Sequence, residues 1–375
     1  MDSPIPIRIL DGGLGTTLED QFHVEFGSKT PLWSSHLLVA DQKTLLDCQT
    51  EFGAAGADII STATYNVSIT GFAKTKTPDW PRGVSIADLS QFLGDAILIA
   101  CEARAAFDSE VALSLGPYGA TMQPSTEYNA NYDEQHRTAQ QLFEWHLNRI
   151  LCFRKTASLL SPVKYFAFET VPCLSEIHAI RMLLRSAYLS GPSGPCCIRT
   201  PAWISCVFPG DDDQLPDGTS AEDAVAAMLG YEDMGGPGPP YPPWGIGINC
   251  TKVHKLDSLV RKYERAVQRL IDDCHIFAWP SLVLYPDGTN GEVYNPETKK
   301  WELPEGTKPP ETPWEVQLAN VVNATSRRAK WHTIIVGGCC KTTPADIARL
   351  RKLLIGPDTL RSGPSEGDSG AESSQ

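Results

Sequence analysis

The chain alternates short apolar runs with longer segments of helical spacing, and this order constrains the fold more than any other feature. Runs that are apolar throughout are typical of strands buried on both faces of a parallel sheet. Eight of them occur, at 7–10, 58–61, 111–115, 165–168, 202–208, 245–248, 276–279 or 281–284, and 333–336. Helical spacing follows at 41–52, 88–107, 133–160, 175–188, 219–229, 252–271 and 313–330. Eight strand–helix pairs predict a (β/α)8 TIM barrel, and a doubly wound open sheet is the alternative.

The last helix has a clear start signal, and the stretches between elements give the domain limits. Thr343 caps the helix, Pro344 suits its first turn, and Asp346 completes a capping box. Polar or Gly/Pro-rich loops are predicted at 74–85, 190–200 and 235–245. We expect one barrel domain over residues 1–355, followed by a disordered Gly/Ser/acidic tail at 356–375.

Composition excludes several classes of protein. The 375 residues carry 45 acidic and 32 basic side chains, a net charge of -13, which argues against a nucleic-acid surface. No apolar run approaches the roughly 20 residues of a membrane span, and no signal peptide is visible at the N-terminus. Eleven cysteines, an odd number scattered along the chain, are typical of a reducing compartment. We therefore expect a cytoplasmic globular protein, and an enzyme.

Cysteine is the sharpest chemical signal. Cys250 ends one predicted strand, and Cys339 and Cys340 end the last, so a barrel brings all three to its catalytic face. Neighbouring residues of a regular strand point to opposite sides, but Gly337 and Gly338 allow both sulfurs to turn inward. Three thiolates suit a catalytic Zn²⁺ with an open fourth position. Small buried hydrophobic residues are the alternative interpretation.

Two further features lie at the same predicted face. The glycine-rich turn from Asp11 to Thr17 is either a tight turn or a loop that binds the carboxylate and ammonium groups of a small ligand. Its spacing does not match the dinucleotide-binding pattern. Glu169 follows a mostly apolar run, where a carboxylate needs a partner: either a salt bridge or a bound cation. Hydroxyls and rings at 61–66 and 116–119 join them. The sequence contains no HExxH, GxSxG or Walker motif.

Together these motifs resemble the zinc-dependent homocysteine S-methyltransferases over about residues 7–354. The resemblance rests on Asp-Gly-Gly at 11–13, Phe-Glu-Thr at 168–170, Gly-Ile-Asn-Cys at 247–250 and Gly-Gly-Cys-Cys at 337–340. It implies a (β/α)8 barrel with zinc held by three cysteines. By resemblance, the metal ligands are Cys250, Cys339 and Cys340, and the substrate-binding residues are Asp11, Gly12, Thr62, Tyr65, Glu169 and Asn249.

The resemblance also implies the reaction. It is transfer of a methyl group from a sulfonium donor, S-methylmethionine or S-adenosylmethionine, to the zinc-bound thiolate of L-homocysteine. Members that use betaine carry an extra C-terminal arm, whereas this sequence has a short polar tail after its last helix. We expect a monomer or weak oligomer. Betaine as the donor, a non-enzymatic zinc or thiol sensor, and a Rossmann-type methyltransferase using the turn at 11–15 are the alternatives.

Overall fold

The architecture is an eight-stranded parallel barrel, described here from a computed structural model. The structure describes residues 4–27, 29–154, 160–186, 200–230, 242–295, 300–306 and 308–356. The barrel strands are β1 (Ile7–Ile9), β2 (Ile59–Ser61), β3 (Glu110–Leu115), β4 (Val163–Val171), β5 (Ala202–Cys206), β6 (Gly245–Lys252), β7 (Ser281–Asp287) and β8 (Ile334–Val336). A small antiparallel hairpin, Val293–Asn295 with Lys300–Glu302, lies between β7 and β8 in the sequence.

The strands follow sequence order around the sheet, from β1 through β8 and β7 back to β2, and every pairing in that sheet is parallel. A parallel bridge between Leu10 and Ile59 brings the two edges together. The Asp11 amide also donates to the Ile59 carbonyl oxygen at 3.1 Å. Edge pairing of this kind gives a barrel, so the predicted (β/α)8 fold is confirmed and the open sheet is wrong.

Helices surround the barrel, and most begin and end close to the predicted positions. They are α1 (Leu14–Asp20), α2 (Leu37–Ala40), α3 (Gln42–Ala54), α4 (Ile69–Lys74), α5 (Leu89–Ala105), α6 (Ala139–Arg154), α7 (Leu174–Arg185), α8 (Ala221–Leu229), α9 (Leu256–Asp272), α10 (Trp314–Arg327) and α11 (Pro344–Leu354). Helix α6 starts six residues later than predicted, because a separate 3-10 turn occupies Glu134–His136. No helix in the described part of the chain is long and apolar enough to cross a membrane.

Two of the three apolar clusters among the described residues form the barrel core. The larger fills the space between strands and helices, and the smaller lies inside the barrel. The inner cluster is built from Leu10, Ile59, Ala112, Tyr165, Ala167, Trp203, Val283, Tyr285 and Ile335. Below it, near the amino ends of the strands, Arg8 pairs with Glu110 and donates to the Tyr165 hydroxyl at 3.1 Å. The barrel interior is therefore filled, and the open side is the carboxyl end of the strands.

Several local predictions can be compared directly. The capping box at Thr343 and Asp346 is confirmed. The loop predicted at 74–85 is confirmed, with α4 ending at its first residue. Of the two alternatives for β7, the second is correct, because Pro280 separates the two runs and only Ser281–Asp287 pairs with β6 and β8. Most of the loops predicted at 190–200 and 235–245, and residues 357–375 of the predicted tail, lie outside the described residues.

Candidate metal centre

The three predicted cysteines meet at the carboxyl end of the barrel. Cys250, Cys339 and Cys340 each offer a sulfur atom, and the three sulfurs lie within 4.8 Å of one another. Cys250 and Cys339 are paired through their sulfurs, with 5.6 Å between their Cα atoms. The 89 residues that separate these two positions are thus folded so that both strand ends present sulfur to one point.

The backbone of Cys250 is left-handed, with φ at 48°. The register between β6 and β7 shifts between Asn249 and Lys252, so the strand is bulged where the cysteine lies. A bulge re-aims a side chain, and a non-glycine residue with positive φ costs about 1 kcal/mol or more. The fold therefore accepts local strain in order to turn the Cys250 sulfur inward.

The loop after β8 is held by close backbone contacts. A Cβ on Gly338 would lie 2.2 Å from the Thr342 hydroxyl oxygen, and one on Gly337 would lie 2.6 Å from the Asp11 carbonyl oxygen. The Gly338 amide donates to that same Asp11 oxygen at 3.0 Å. Neither glycine has a positive φ among the described backbone angles. The sulfurs of Cys339 and Cys340 do converge with that of Cys250, and glycine is needed here for close packing, Gly337 against the β1 loop and Gly338 against Thr342.

Hydrogen-bond donors surround the sulfurs. The Asn249 Nδ2 atom donates to the Thr170 hydroxyl at 2.7 Å and lies 3.3 Å from the Cys250 sulfur. The Thr170 amide donates to Asn249 Oδ1 at 2.8 Å, so the two side chains are locked together. Burial raises the pKa of the Cys340 thiol to about 12, and the Tyr128 side chain opposes this shift. Donors of this kind orient metal ligands and stabilise sulfur in its anionic form.

Two carboxylates lie at the same end of the barrel as the cysteines, Asp11 buried and Glu169 half-buried. Asp11 accepts from the Ser61 amide at 2.7 Å and from the Ser61 hydroxyl at 2.9 Å. Burial raises the pKa of Asp11 to about 7, although both of these hydrogen bonds oppose the shift. Burial likewise raises the pKa of Glu169 to about 7, against hydrogen bonds from Ser114 and Tyr285. Ionisation of either carboxyl group therefore costs free energy at this position. A cation between the two would lower that cost.

The remaining predicted residues occupy the same end of the barrel. The Tyr65 carbonyl oxygen accepts from the Gly116 amide at 3.1 Å. Gly12 is packed so tightly that a Cβ there would lie 2.7 Å from the Phe52 ring. Thr62 is buried, and its hydroxyl accepts from the Ser114 amide at 3.1 Å and pairs with the Thr64 hydroxyl at 2.6 Å. The direct contacts of these residues with substrate stay predictions, and for Thr62 the structure also gives a role in joining β2 to β3.

Sequence reasoning missed three residues at the site. Glu127 and Tyr128 come from the long loop between β3 and α6, and Tyr285 lies on β7. Tyr285 follows an apolar run, as Glu169 does. Its position at the carboxyl end of a strand could therefore have indicated that it belongs to the site. Glu127 and Tyr128 gave no such signal, because they lie about a dozen residues beyond the end of β3.

A barrel with three thiols converging at the carboxyl end of its strands defines the class: a TIM-barrel protein whose cysteine cluster could hold a metal ion. The homocysteine S-methyltransferase family model matches residues 8–354. The chain therefore belongs to the homocysteine S-methyltransferase family, and it is an enzyme of that family.

Relatives and a solved structure agree with this assignment. The homocysteine S-methyltransferase of Escherichia coli (strain K12) is 30% identical over 356 residues, covering 92% of this chain and 94% of the relative. Homocysteine S-methyltransferase YbgG of Bacillus subtilis (strain 168) is 29% identical over 360 residues, with 92% and 93% coverage. The metallated form of the E. coli homocysteine methyltransferase MmuM superposes with a TM-score of 0.61 at 27% identity, covering 92% of this chain and 95% of that structure.

Proposed function

We propose that the protein transfers a methyl group from a sulfonium donor, S-methylmethionine or S-adenosylmethionine, to the thiolate of L-homocysteine, with zinc as cofactor. The product is methionine, and the reaction is placed in the cytoplasm, where thiols stay reduced. One observation carries the proposal: three cysteine sulfurs converge within 4.8 Å at the mouth of a barrel whose family acts on homocysteine.

The donor set fits zinc. Three thiolates from Cys250, Cys339 and Cys340 supply soft ligands and leave a fourth position for a substrate sulfur. When bound, zinc lowers the pKa of a coordinated thiol and so provides a nucleophile at neutral pH. Thiolates are the form in which cysteine binds a metal, so all three side chains have to be reduced to hold it.

The neighbouring side chains bind and orient the acceptor. The Asp11 and Glu169 carboxylates are close enough that the charge of Asp11 raises the pKa of Glu169. The ammonium group of homocysteine between them would favour their ionised forms. Gly12 and the adjoining turn offer backbone to the carboxylate of the amino acid, and Asn249 fixes the Cys250 sulfur. These contacts would align the acceptor for in-line attack.

The reaction needs no general acid. A new C–S bond forms between the homocysteine sulfur and the methyl carbon, while the bond from that carbon to the donor sulfur breaks. Its electron pair returns to the donor sulfur, which leaves as a neutral thioether. The side chains therefore have to hold two sulfurs and one carbon in line, which is a task of positioning.

Methionine formation tests the proposal. Homocysteine is incubated with S-methylmethionine, S-adenosylmethionine or betaine, in reductant, with and without a chelator. We expect turnover with a sulfonium donor and its loss on chelation. Cys339→Ser should lose both zinc and activity, whereas Cys274→Ser, an exposed free cysteine, should retain them. Full zinc content and activity in Cys339→Ser would refute the metal assignment, and turnover with betaine alone would refute the donor.

A further inference from the structure

Glu127 is a buried carboxylate that the proposed function does not use. The residue is 9% exposed, and its Oε2 atom has no hydrogen-bond partner among the described residues. Burial raises its pKa, while a hydrogen bond from the Ser125 side chain opposes the shift. A buried carboxylate oxygen without a donor indicates a site for a group that arrives with the ligand.

The loop that carries Glu127 is fixed over the barrel mouth. The Thr126 amide donates to the Gly119 carbonyl oxygen at 3.0 Å. Asn66 Nδ2 donates to the Ala120 carbonyl oxygen at 2.7 Å and ties this loop to the one after β2. A Cβ on Gly119 would lie 2.9 Å from the Glu127 amide nitrogen, so the two segments are in close backbone contact. The carboxylate is therefore held by its loop.

Glu127 interacts electrostatically with two tyrosines, Tyr65 and Tyr128, that also interact with Cys340. Glu127 is the charged group that acts most strongly on the Tyr65 hydroxyl, ahead of Glu169 and Cys340. Its charge also acts on Tyr128, which interacts in turn with Cys340. The Tyr128 side chain is 44% exposed, so a ligand entering the mouth meets its ring. Aromatic faces beside a carboxylate form a favourable environment for a cation.

Apart from Asp287, which also acts on Cys340 but is paired with Lys252 at 3.3 Å, the acidic groups of the site fall into two sets. Asp11 and Glu169 interact with each other and account for the ammonium group of the acceptor. Glu127 lies on a different loop and acts on Tyr65, Tyr128 and Cys340. A reaction between two substrates needs a second cation-binding position when the methyl donor is itself positively charged.

We propose that Glu127, with the rings of Tyr65 and Tyr128, forms the subsite for the sulfonium cation of the methyl donor and selects for positive charge at the reacting sulfur. This inference rests on the proposed function. During transfer the electron pair of the breaking bond returns to the donor sulfur, so its positive charge decreases toward the transition state. The attraction of Glu127 is therefore stronger in the ground state than in the transition state, and Glu127 acts on donor binding more than on kcat.

The test compares three variants of the zinc-loaded, reduced enzyme. Glu127→Gln removes the charge at nearly constant shape, and Glu127→Asp keeps the charge on a shorter side chain. Glu134→Gln is the matched control, an exposed glutamate further along the same loop. The KM and kcat for S-methylmethionine are measured at saturating homocysteine, together with the homocysteine KM and the zinc content. Calorimetric titration with S-methylmethionine in the absence of homocysteine gives donor affinity without reaction.

We expect Glu127→Gln to raise the donor KM and the calorimetric Kd at least 10-fold. In that variant the kcat, the homocysteine KM and the zinc content should stay within about 2-fold of the wild-type values. Glu127→Asp should recover part of the donor affinity, and Glu134→Gln should match wild type. An unchanged donor KM, or equal increases in both KM values, would overturn the inference while leaving wild-type turnover intact. Absence of methyl transfer from either sulfonium donor in wild type would overturn the proposed function itself, and this inference with it.

Discussion

Replacement of Asn249 by alanine tests whether the polar contacts behind Cys250 support the metal site. The side chain is fully buried and is joined to Thr170 by hydrogen bonds of 2.7 and 2.8 Å. Its Nδ2 atom also lies 3.3 Å from the Cys250 sulfur. Asn249→Ala leaves the amide and hydroxyl of the buried Thr170 without these partners. We expect a loss of about 2–4 kcal/mol in the free energy of unfolding.

The same change removes a donor from a metal ligand. Loss of such an outer contact typically weakens metal affinity 10–100-fold, which is about 1.4–2.7 kcal/mol. Zinc affinity is measured by competition with a chromophoric chelator, and stability by urea denaturation of the reduced, metal-free protein. The metal-free state is needed because bound zinc would itself raise the apparent stability.

Asn66→Ala is the matched control, since Asn66 is also buried but donates one hydrogen bond, to the Ala120 carbonyl oxygen at 2.7 Å. We expect it to cost about 1 kcal/mol of stability and to leave zinc affinity within about 2-fold. The reasoning is refuted if Asn249→Ala binds zinc as tightly as wild type, or if both variants weaken zinc equally.

Two further predictions concern the carboxylates and the glycine turn. Since burial raises the pKa of Glu169 to about 7, above its unfolded value, its ionisation destabilises the fold as pH rises from about 4 to 7. In urea titrations, Glu169→Gln should therefore stabilise the ligand-free protein at pH 8 but not at pH 4. The same variant should raise the homocysteine KM. Equal effects on stability at both pH values would contradict this reasoning. A Cβ on Gly13 would lie 2.3 Å from the Cys339 carbonyl oxygen, so Gly13→Ala should cost about 1–3 kcal/mol and lower zinc content. Gly27→Ala is the control, because the space around Gly27 is open, and it should change neither the melting temperature nor the zinc content. A normal zinc content in Gly13→Ala would show that the close approach of Gly13 to Cys339 does not control metal binding.

The sequence by itself determined the order of elements and the convergence of the three cysteines. Apolar runs and helical spacing arise within a few residues, and so does the capping box at Thr343, so each can be recognised locally. The positions of Cys250, Cys339 and Cys340 followed from a second rule, that parallel strands of a barrel end at one face. When several strands of a barrel end in reactive residues, those residues are therefore expected to be neighbours in space.

Only the tertiary structure decided how the site is shaped. The left-handed backbone of Cys250 depends on a bulge between β6 and β7, and the Asn249–Thr170 pair joins residues 79 positions apart. The carboxylate of Glu127 reaches the mouth because its loop is tied to the loop after β2 through Asn66. These contacts are set by strand register and by the packing of one loop on another. They join parts of the chain that no local pattern connects, so they exist only once the barrel has closed.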